Sequence, residues 1–418
     1  MSAAESARVD ALQALAREVG AGLESLRHEP VSIDGIAVST TLRPRDGDAL
    51  ARTVRALGQQ GLAAVPLGGG RHLELGNAPR RVDALLCTSH LAAVEDFEPA
   101  EGVCHAGAGT RLGALRERIA PAGWELPLDA PDDATLGGAL AAGAVGPRTQ
   151  GYGAPRDVVL GLEVVLGSGE RTRCGGRVVK NVTGYDLPKL YTGSCGTLGV
   201  IEGAWLRLRP RPACTRVLGL PERAAADALA RGVAAARLQS ARACALRGRA
   251  GEALSGVVEL AGAEESVERD ARWLAREQGA SDADAQAPLR VRAEQLATAA
   301  PHGVRFRIPA LPTQLAGVLD ALDPQAQVIV YPGLCLCYAS FPLASPDDAA
   351  GAERAFASVA AAARAALGTF RCESAPPDAK RGREVFGPLG GEAALARALK
   401  SRFDPHGVLS PGRFAGGA

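Results

Sequence analysis

The chain has 418 residues and a mass of 42.8 kDa, which at about 100–200 residues per domain predicts two or three domains. Hydrophobic residues are 47% and charged residues 22%, a balance that excludes a disordered, collagen-like or coiled-coil chain. Lys plus Arg number 47 against 46 Asp plus Glu, and a net charge of +1 argues against a protein that works by neutralising nucleic-acid phosphates. No run of about 18 uncharged apolar residues occurs, so no membrane-spanning helix is expected. The charged N-terminus, MSAAESARVDALQALAREVG, lacks the apolar stretch of a secretory signal.

In chain order, Val9, Leu12, Leu15, Val19 and Leu23 recur near helical spacing and predict one amphipathic helix over 2–27. Residues 30–43 are rich in β-branched side chains and read as extended. Residues 46–60 read as a helix with an acidic start and Gly61 beyond its end. AAVPLGGG is a strand running into a glycine loop, RVDALLCTS a second strand and GVCHAGAGT a third, followed by a helix at 111–122. DVVLGLEVVLGSGERTRC (157–174) reads as a hairpin turning on Gly-Ser-Gly. GVIEGAWLRLRPRP is a further strand. Residues 222–300 are Ala-rich and read as helical, broken by one strand at 255–262. Strands follow at 303–311 and 327–341, a helix at 346–367 and a last helix at 391–402. The stretches 142–154 and 369–382 read as loops.

The nine cysteines (87, 104, 174, 195, 214, 244, 335, 337 and 372) form no C-x-x-C pair, so zinc-ribbon and iron–sulfur spacings are missing. They read as small hydrophobes in a reducing cytosol. Cys335 and Cys337 alternate in a strand-like run and are expected on one face.

The 51 glycines cluster. Gly68-Gly69-Gly70 ends a strand, and consecutive glycines let backbone N–H groups approach an anion such as a diphosphate; an ordinary turn is the alternative. Thr135-Leu136-Gly137-Gly138 leads into the small-residue run ALAAGAVG, against which a helix or a ligand must lie. Gly193-Ser194-Cys195-Gly196-Thr197-Leu198-Gly199 stands at another strand entrance. No G-x-G-x-x-G opens a helix at 66–76, and GTRLGALRERIA lacks the G-K-[ST] ending of a P-loop. One large cofactor touched by three separate glycine segments is the economical reading.

PLGGGRHLELGN (66–77), PDDATLGGALAAGAVGP (131–147), YGAPRDVVLGLEVVLGSGE (152–170), GGRVVKNVTGYDLPKLYTGSCGTLGVIEGAWLRLRPRP (175–212) and FDPHGVLSPGR (404–413) occur in this order. Together they resemble the FAD-binding oxidoreductases of the vanillyl-alcohol-oxidase/PCMH type, most of all the E-type flavoprotein subunits of bacterial glycolate oxidases. The resemblance implies an α+β fold: a two-subdomain PCMH-type FAD-binding domain over 30–214 and a smaller α+β cap over 215–375. An N-terminal helix (1–29) precedes them, and a segment at 376–418 returns to the FAD domain. It implies that Pro66, Gly68, Gly69, Gly70, Arg71, His72 and Asn77 wrap the diphosphate. Thr135, Gly137, Gly138, Ala141 and Gly143 would form the opposite wall, with Tyr152 and Gly153 near the flavin, and Gly199, Val200 and Ile201 touching the cofactor through the backbone. Arg413 would reach back toward the ring and favour a negative charge on reduced flavin, unless it forms a surface ion pair. Family members that bind flavin covalently use a His directly after the loop glycines; Arg71 stands there, with His72 one residue on, so FAD is expected to be non-covalent.

The chemistry of a 2-hydroxy acid needs a base and a cation for the carboxylate. Related dehydrogenases carry a His-rich metal signature, which is absent here: the six histidines (His28, His72, His90, His105, His302 and His406) are dispersed, and no metal site is expected. Arg305 and Arg307 alternate in GVRFRIP and should share a face; they are candidates for the carboxylate, or else solvated arginines on a sheet edge. His302 is a candidate base. Tyr331 and Tyr338 read as packing, and Asp132-Asp133 as a loop or cap. The resemblance implies a subunit of a glycolate- or D-lactate-type dehydrogenase that passes electrons to an iron–sulfur partner beside a paralogous FAD subunit. The alternative is a non-catalytic relay or scaffold. The expected place is cytoplasmic, peripheral at the membrane through partners, with no nucleic acid.

Overall fold

Helix Ala3–Val19 stops where Gly20 turns to a φ of 77°, and Leu23–Ile33 continues as a strand. The expected helix over 2–27 is therefore two elements, because Leu23 ends the apolar stripe by pairing with Pro44 across a hairpin. That hairpin turns on Asp34-Gly35, both at positive φ (48° and 86°), and returns as Ile36–Pro44. The molecule is a computed structural model that describes residues 3–177, 185–297 and 302–418, without the side chains of 3–7 and 21. It divides into unit 1, Met1–Ala144 with Ala154–Arg211 and Leu389–Ala418, and unit 2, Val145–Gly153 with Pro212–Pro388. The second domain was expected over 215–375, and its main segment runs from 212 to 388. The N-terminal helix packs within unit 1, and 145–153 go with unit 2.

Unit 1 has two sheets. The first runs Leu23–Ile33, Ile36–Pro44, Ala84–Cys87, Ala64–Leu67; the hairpin pair is antiparallel and the rest parallel. Its parallel strands are buried or nearly so along their length, as a sheet covered on both faces requires. Helix Gly47–Gln59 starts at Asp46, whose side chain accepts the Ala49 N–H at 2.7 Å, and lays Leu50, Val54 and Leu57 against Leu12, Leu15 and Leu42. The second sheet is antiparallel, in the order Val94–Glu98, Val103–Gly107, Val200–Arg207, Val159–Val165, Arg171–Gly175. The expected hairpin at 157–174 is its outer pair.

The C-terminal helix, Glu392–Phe403, carries one buried ion pair that ties the tail to unit 1. Lys400 Nζ donates to the carbonyls of Thr197 (2.8 Å) and Leu409 (2.6 Å) and to Asp404 Oδ2 (2.6 Å), so its three hydrogens each have an acceptor. Asp404 accepts the N–H groups of Val408 and Leu409, both at 2.9 Å. Burial pushes the Lys400 pKa down, and Asp404 opposes that shift. The tail beyond is laid beside the strand Ala64–Leu67: Ala64 N–H donates to Val408 O at 2.7 Å, and Ser410 N–H to Ala64 O at 3.0 Å.

Unit 2 is built on one antiparallel eight-stranded sheet, in the order Ser281–Asp282, Cys214–Arg223, Leu254–Gly262, Ala241–Arg249, Gln327–Tyr331, Leu336–Pro342, Gly303–Pro309, Arg371–Ser374. Helices Ala225–Ala236, Glu264–Trp273, Leu315–Ala321 and Ala349–Ala365 supply the main core against it, with Phe306 edge-on to Phe341, Phe356 and Phe370. Two elements correct the sequence reading. Ala241–Arg249 is a strand within the stretch read as helical, because pairing on both sides overrides the helical preference of Ala and Arg. Residues 327–341 are two strands joined at Pro332–Leu334, and Cys335 sits in the turn at a φ of 58° rather than beside Cys337. The stretches 142–154 and 369–382, read as loops, hold the short helices Thr149–Tyr152 and Pro377–Lys380 and the edge strand Arg371–Ser374.

The strand face of unit 2 away from the four helices places Arg307 opposite Tyr338 and Arg371. Glu373 joins them, at 2.6 Å from Arg371 and 3.6 Å from Arg307, with its side chain 11% exposed. Burial pushes its carboxyl up, but Arg371, Arg307 and Arg305 outweigh that and hold it at about 2.

Two predictions follow from these buried charges. Lys400→Met strands Asp404 and two carbonyls, and is expected to lose about 3–5 kcal/mol in chemical denaturation; a loss below 1 kcal/mol would refute the clamp. Glu373 is depressed in the folded state, so its contribution is present above the ordinary carboxylate range and disappears as pH falls toward 2. Glu373→Gln should flatten the wild-type loss of stability between about pH 5 and pH 2, a difference on the order of 3 kcal/mol, read from denaturation midpoints across that range.

Candidate functional site

The parallel pair Ala64–Leu67 and Ala84–Cys87 ends at a common edge, where the chain leaves as Gly68-Gly69-Gly70 and as Thr88. The segment at 134–142 lies against this edge. Thr135 caps the helix Leu136–Ala142 by accepting the Gly138 N–H at 3.3 Å, and the same hydroxyl accepts the Gly69 N–H at 3.3 Å. A Cβ at position 68 would strike Thr135 Oγ1, and one at 69 would come within 3.0 Å of Asp133 O. Glycine is required at both positions by close approach.

A cavity of about 770 Å³ opens between these segments. Pro66, Gly68, Gly69, Gly70, Arg71 and His72 line one side, and Thr135, Gly137, Gly138 and Ala141 another. Gly199, Val200 and Ile201, from the start of Val200–Arg207, line a third. Arg71 is ion-paired to Asp133, and Asp132 to Arg116, so the acidic pair expected as a loop or cap stitches the loop at 131–134 to its neighbours. Cys195 and Gly196, from the third glycine segment, also line the cavity, as do Leu67, Thr88 and Ala134, which were not expected. Thr88 and Leu67 had a signal: ligands settle at the carboxyl ends of parallel strands.

Arg413 lines the same cavity. It is buried, which corrects the alternative of a surface ion pair. Its Nη2 lies 3.0 Å from Asp34 Oδ2, and the two side chains are 3% and 1% exposed. The tail is held in place by Asn77, whose N–H donates to Arg413 O and whose Nδ2 donates to Phe414 O, both at 3.0 Å.

Four expected residues do not line the cavity. Asn77 is engaged with the tail, as just described. Gly143 is the left-handed C-cap of Leu136–Ala142, at a φ of 61°. Tyr152 and Gly153 belong to unit 2, where Arg148 pairs with buried Glu259 at 2.8 Å and Gln150 donates to the carbonyls of Ala236 and Ala241. Residues 178–184, inside the long motif at 175–212, lie outside the described residues.

In unit 2 the two candidate arginines separate. Arg307 is committed to Glu373. Arg305 is 8% exposed rather than solvated, and it lines a second cavity of about 890 Å³ with Gln327, Tyr338 and Ser340. Its Nη1 donates to Leu296 O, and its buried Nε has no hydrogen-bond partner among the described residues. His302 is exposed, and its carbonyl accepts the Leu343 N–H at 2.9 Å. Tyr331 is packing with a partner, its hydroxyl donating to Gln295 Oε1 at 2.7 Å. Burial pushes the Tyr338 phenol up to about 12. Among the described residues no group of three or more His, Cys, Asp or Glu is placed to hold a metal.

Comparison with known proteins places this geometry. The FAD binding domain family matches residues 38–175. A mitochondrial D-2-hydroxyglutarate dehydrogenase of Bos taurus is 36% identical over 202 residues, covering 46% of this chain and 37% of that protein. The glycolate oxidase subunit GlcE of Escherichia coli K12 is 41% identical over 122 residues, covering 28% of this chain and 35% of that protein. The matched stretches thus span little more than a third of these relatives' lengths. In fold, the chain is similar to p-cresol methylhydroxylase, with a TM-score of 0.71 at 16% identity over 99% of this chain and 97% of that one. Alkyldihydroxyacetonephosphate synthase follows, at a TM-score of 0.66 and 14% identity over 97% of this chain and 84% of that one. The chain thus carries an FAD-binding domain over residues 38–175, where the glycine-lined cavity lies, and shares the α+β fold of p-cresol methylhydroxylase.

Proposed function

We propose that this chain is the FAD-binding subunit of a 2-hydroxy-acid dehydrogenase of the glycolate or D-lactate type, holding FAD non-covalently in the unit 1 cavity. One observation carries this reading: the two glycine segments line one cavity together, held so close through the Thr135 hydroxyl that positions 68 and 69 admit no side chain. The fit to FAD is good on chemical grounds. A diphosphate needs donors that approach closely, and Gly68, Gly69 and Gly70 have no Cβ to keep it away. The apolar wall of Ala141, Val200 and Ile201 suits a flat ring, and Arg413 supplies a buried cation.

Bound FAD would supply the hydride acceptor. The protein's part is to hold that cofactor and to orient the acid. Of the two arginines on Gly303–Pro309, Arg305 is the better carboxylate anchor, because it lines a cavity while Arg307 is paired with Glu373. Non-covalent attachment is supported by Arg71, which stands directly after the glycines and is engaged with Asp133. The name of the Escherichia coli relative, a subunit of glycolate oxidase, supports a multi-subunit assembly, whose other members we propose to be a paralogous flavoprotein and an iron–sulfur chain. Such an assembly would sit in the cytoplasm, peripheral to the membrane through those partners. A second reading, an electron relay without its own substrate chemistry, is favoured by the stretch VYPGLCLCYASF at 330–341, which holds no histidine.

The purified chain is expected to take up one FAD, to release it into the supernatant on acid precipitation, and to lose at least tenfold in affinity in Gly69→Val. Yellow colour left on the acid precipitate would refute non-covalent binding, and a colourless protein that refuses FAD would refute the reading as a whole. Anaerobic addition of glycolate or D-lactate is expected to bleach the flavin absorption. Arg305→Leu should raise the acid concentration needed at least tenfold, about 1.4 kcal/mol, with the oxidised spectrum unchanged. Bleaching by dithionite but by neither acid would favour the relay.

A further inference from the structure

We propose that Asp34 is a positioning residue that sets the charge Arg413 presents to the cofactor, and that it thereby lowers the reduction potential of bound FAD. The inference rests on FAD occupying the unit 1 cavity.

A guanidinium does not lose its proton in a protein, so Arg413 brings a fixed positive charge to the cavity wall. Its side chain is 3% exposed, and its Nε has no hydrogen-bond partner among the described residues. Reduction with two electrons and one proton adds one negative charge to FAD, and an uncompensated buried cation beside it would favour that form strongly. Asp34 does not line the cavity, yet its carboxylate lies 3.0 Å from Arg413 Nη2 and is 1% exposed. The pair is close to neutral as a unit, so the carboxylate offsets most of the field of the arginine.

Both partners are also fixed by the backbone around them. Asp34 and Gly35 form a two-residue turn with positive φ at both positions, where Asn serves the backbone as well as Asp. Ile33 and Ile36, on either side, are paired across the hairpin and packed with Val38, Val65 and Leu85, which fixes the turn. Arg413 is fixed from the other end of the chain. Asn77 holds the carbonyls of Arg413 and Phe414, and a Cβ at Gly76 would come within 2.7 Å of Arg413 Cγ. Two segments 379 positions apart in sequence are thus brought together at the cavity with opposite charges.

The test is the potential of bound FAD, measured by anaerobic reductive titration against a reference dye. Asp34→Asn keeps the turn and an acceptor for Arg413, and is expected to shift the reduction equilibrium toward reduced FAD by at least tenfold, about 30 mV for a two-electron couple. Arg413→Gln leaves the carboxylate alone and should shift it the opposite way, and the double variant should fall between the two. A purely structural role would not produce opposite signs. Should Arg413→Gln release FAD, Arg413→Lys keeps the charge and is expected to stay near wild type while Asp34→Asn still rises. An unchanged or lowered potential in Asp34→Asn, with FAD bound, overturns this inference and leaves the cofactor site standing. Failure of the wild-type chain to take up FAD overturns the cofactor reading itself.

Discussion

Thr135 holds the glycine segments of unit 1 at a fixed separation. Its hydroxyl accepts from Gly69 and Gly138 at the same distance, 3.3 Å, so the glycine loop and the first turn of Leu136–Ala142 share one oxygen. Each bond contributes only about 0.5–1.5 kcal/mol net. Their effect is geometric: the backbones come so close that positions 68 and 69 admit no side chain. The wall at 199–201 is then set by the strand Val200–Arg207, which pairs on both sides within the second sheet.

The C-terminal tail is the other constraint. A lysine buried as deeply as Lys400 would be costly alone, since desolvation disfavours its charge. Three acceptors at 2.6–2.8 Å offset that cost, and Asp404 spends its remaining capacity on the two N–H groups that follow it. The pair therefore fixes the direction in which the chain leaves its last helix, along Ala64 and toward Arg80 and Asn77. Arg413 reaches the cavity only because that path is fixed. Binding site and chain terminus are coupled through a polar cluster that itself touches no cofactor.

Unit 2 uses charge differently. One side of its sheet is a dry aromatic and aliphatic core around Phe306, and the other carries arginines paired with buried carboxylates, Glu373 and Glu259 among them. Glu373 pairs with Arg371 and Arg307, and of the two arginines on Gly303–Pro309 it is Arg305 that lines the second cavity, beside Arg247 and Arg249. The same alternation along Gly303–Pro309 that sends Phe306 into the core sends Arg305 and Arg307 to the opposite side. The difference between the two arginines comes from the edge strand Arg371–Ser374, which pairs beside them.

The sequence by itself determined the local elements whose signals are local. The helix behind Asp46, the hairpin around 167–169, the glycine ends of the parallel strands and the family motifs could all be read directly, because turn chemistry and hydrophobic period act over a few residues. Residues 30–43, read as one extended segment, are instead the inner halves of a hairpin, because Asp34-Gly35 is a two-residue turn signal that this reading passed over. Tertiary structure decided the rest. Ala241–Arg249 is a strand only because neighbours on both sides supply its hydrogen bonds, against the preference of its own residues. Gly143 caps a helix, and Asn77 holds the tail, although both stand in cofactor motifs. Which arginine remains available, and that Asp34 meets Arg413, depend on contacts between residues far apart in the chain. Such contacts leave no periodic mark, because burial and electrostatic pairing are set by where the backbone goes and not by the residues beside them in sequence.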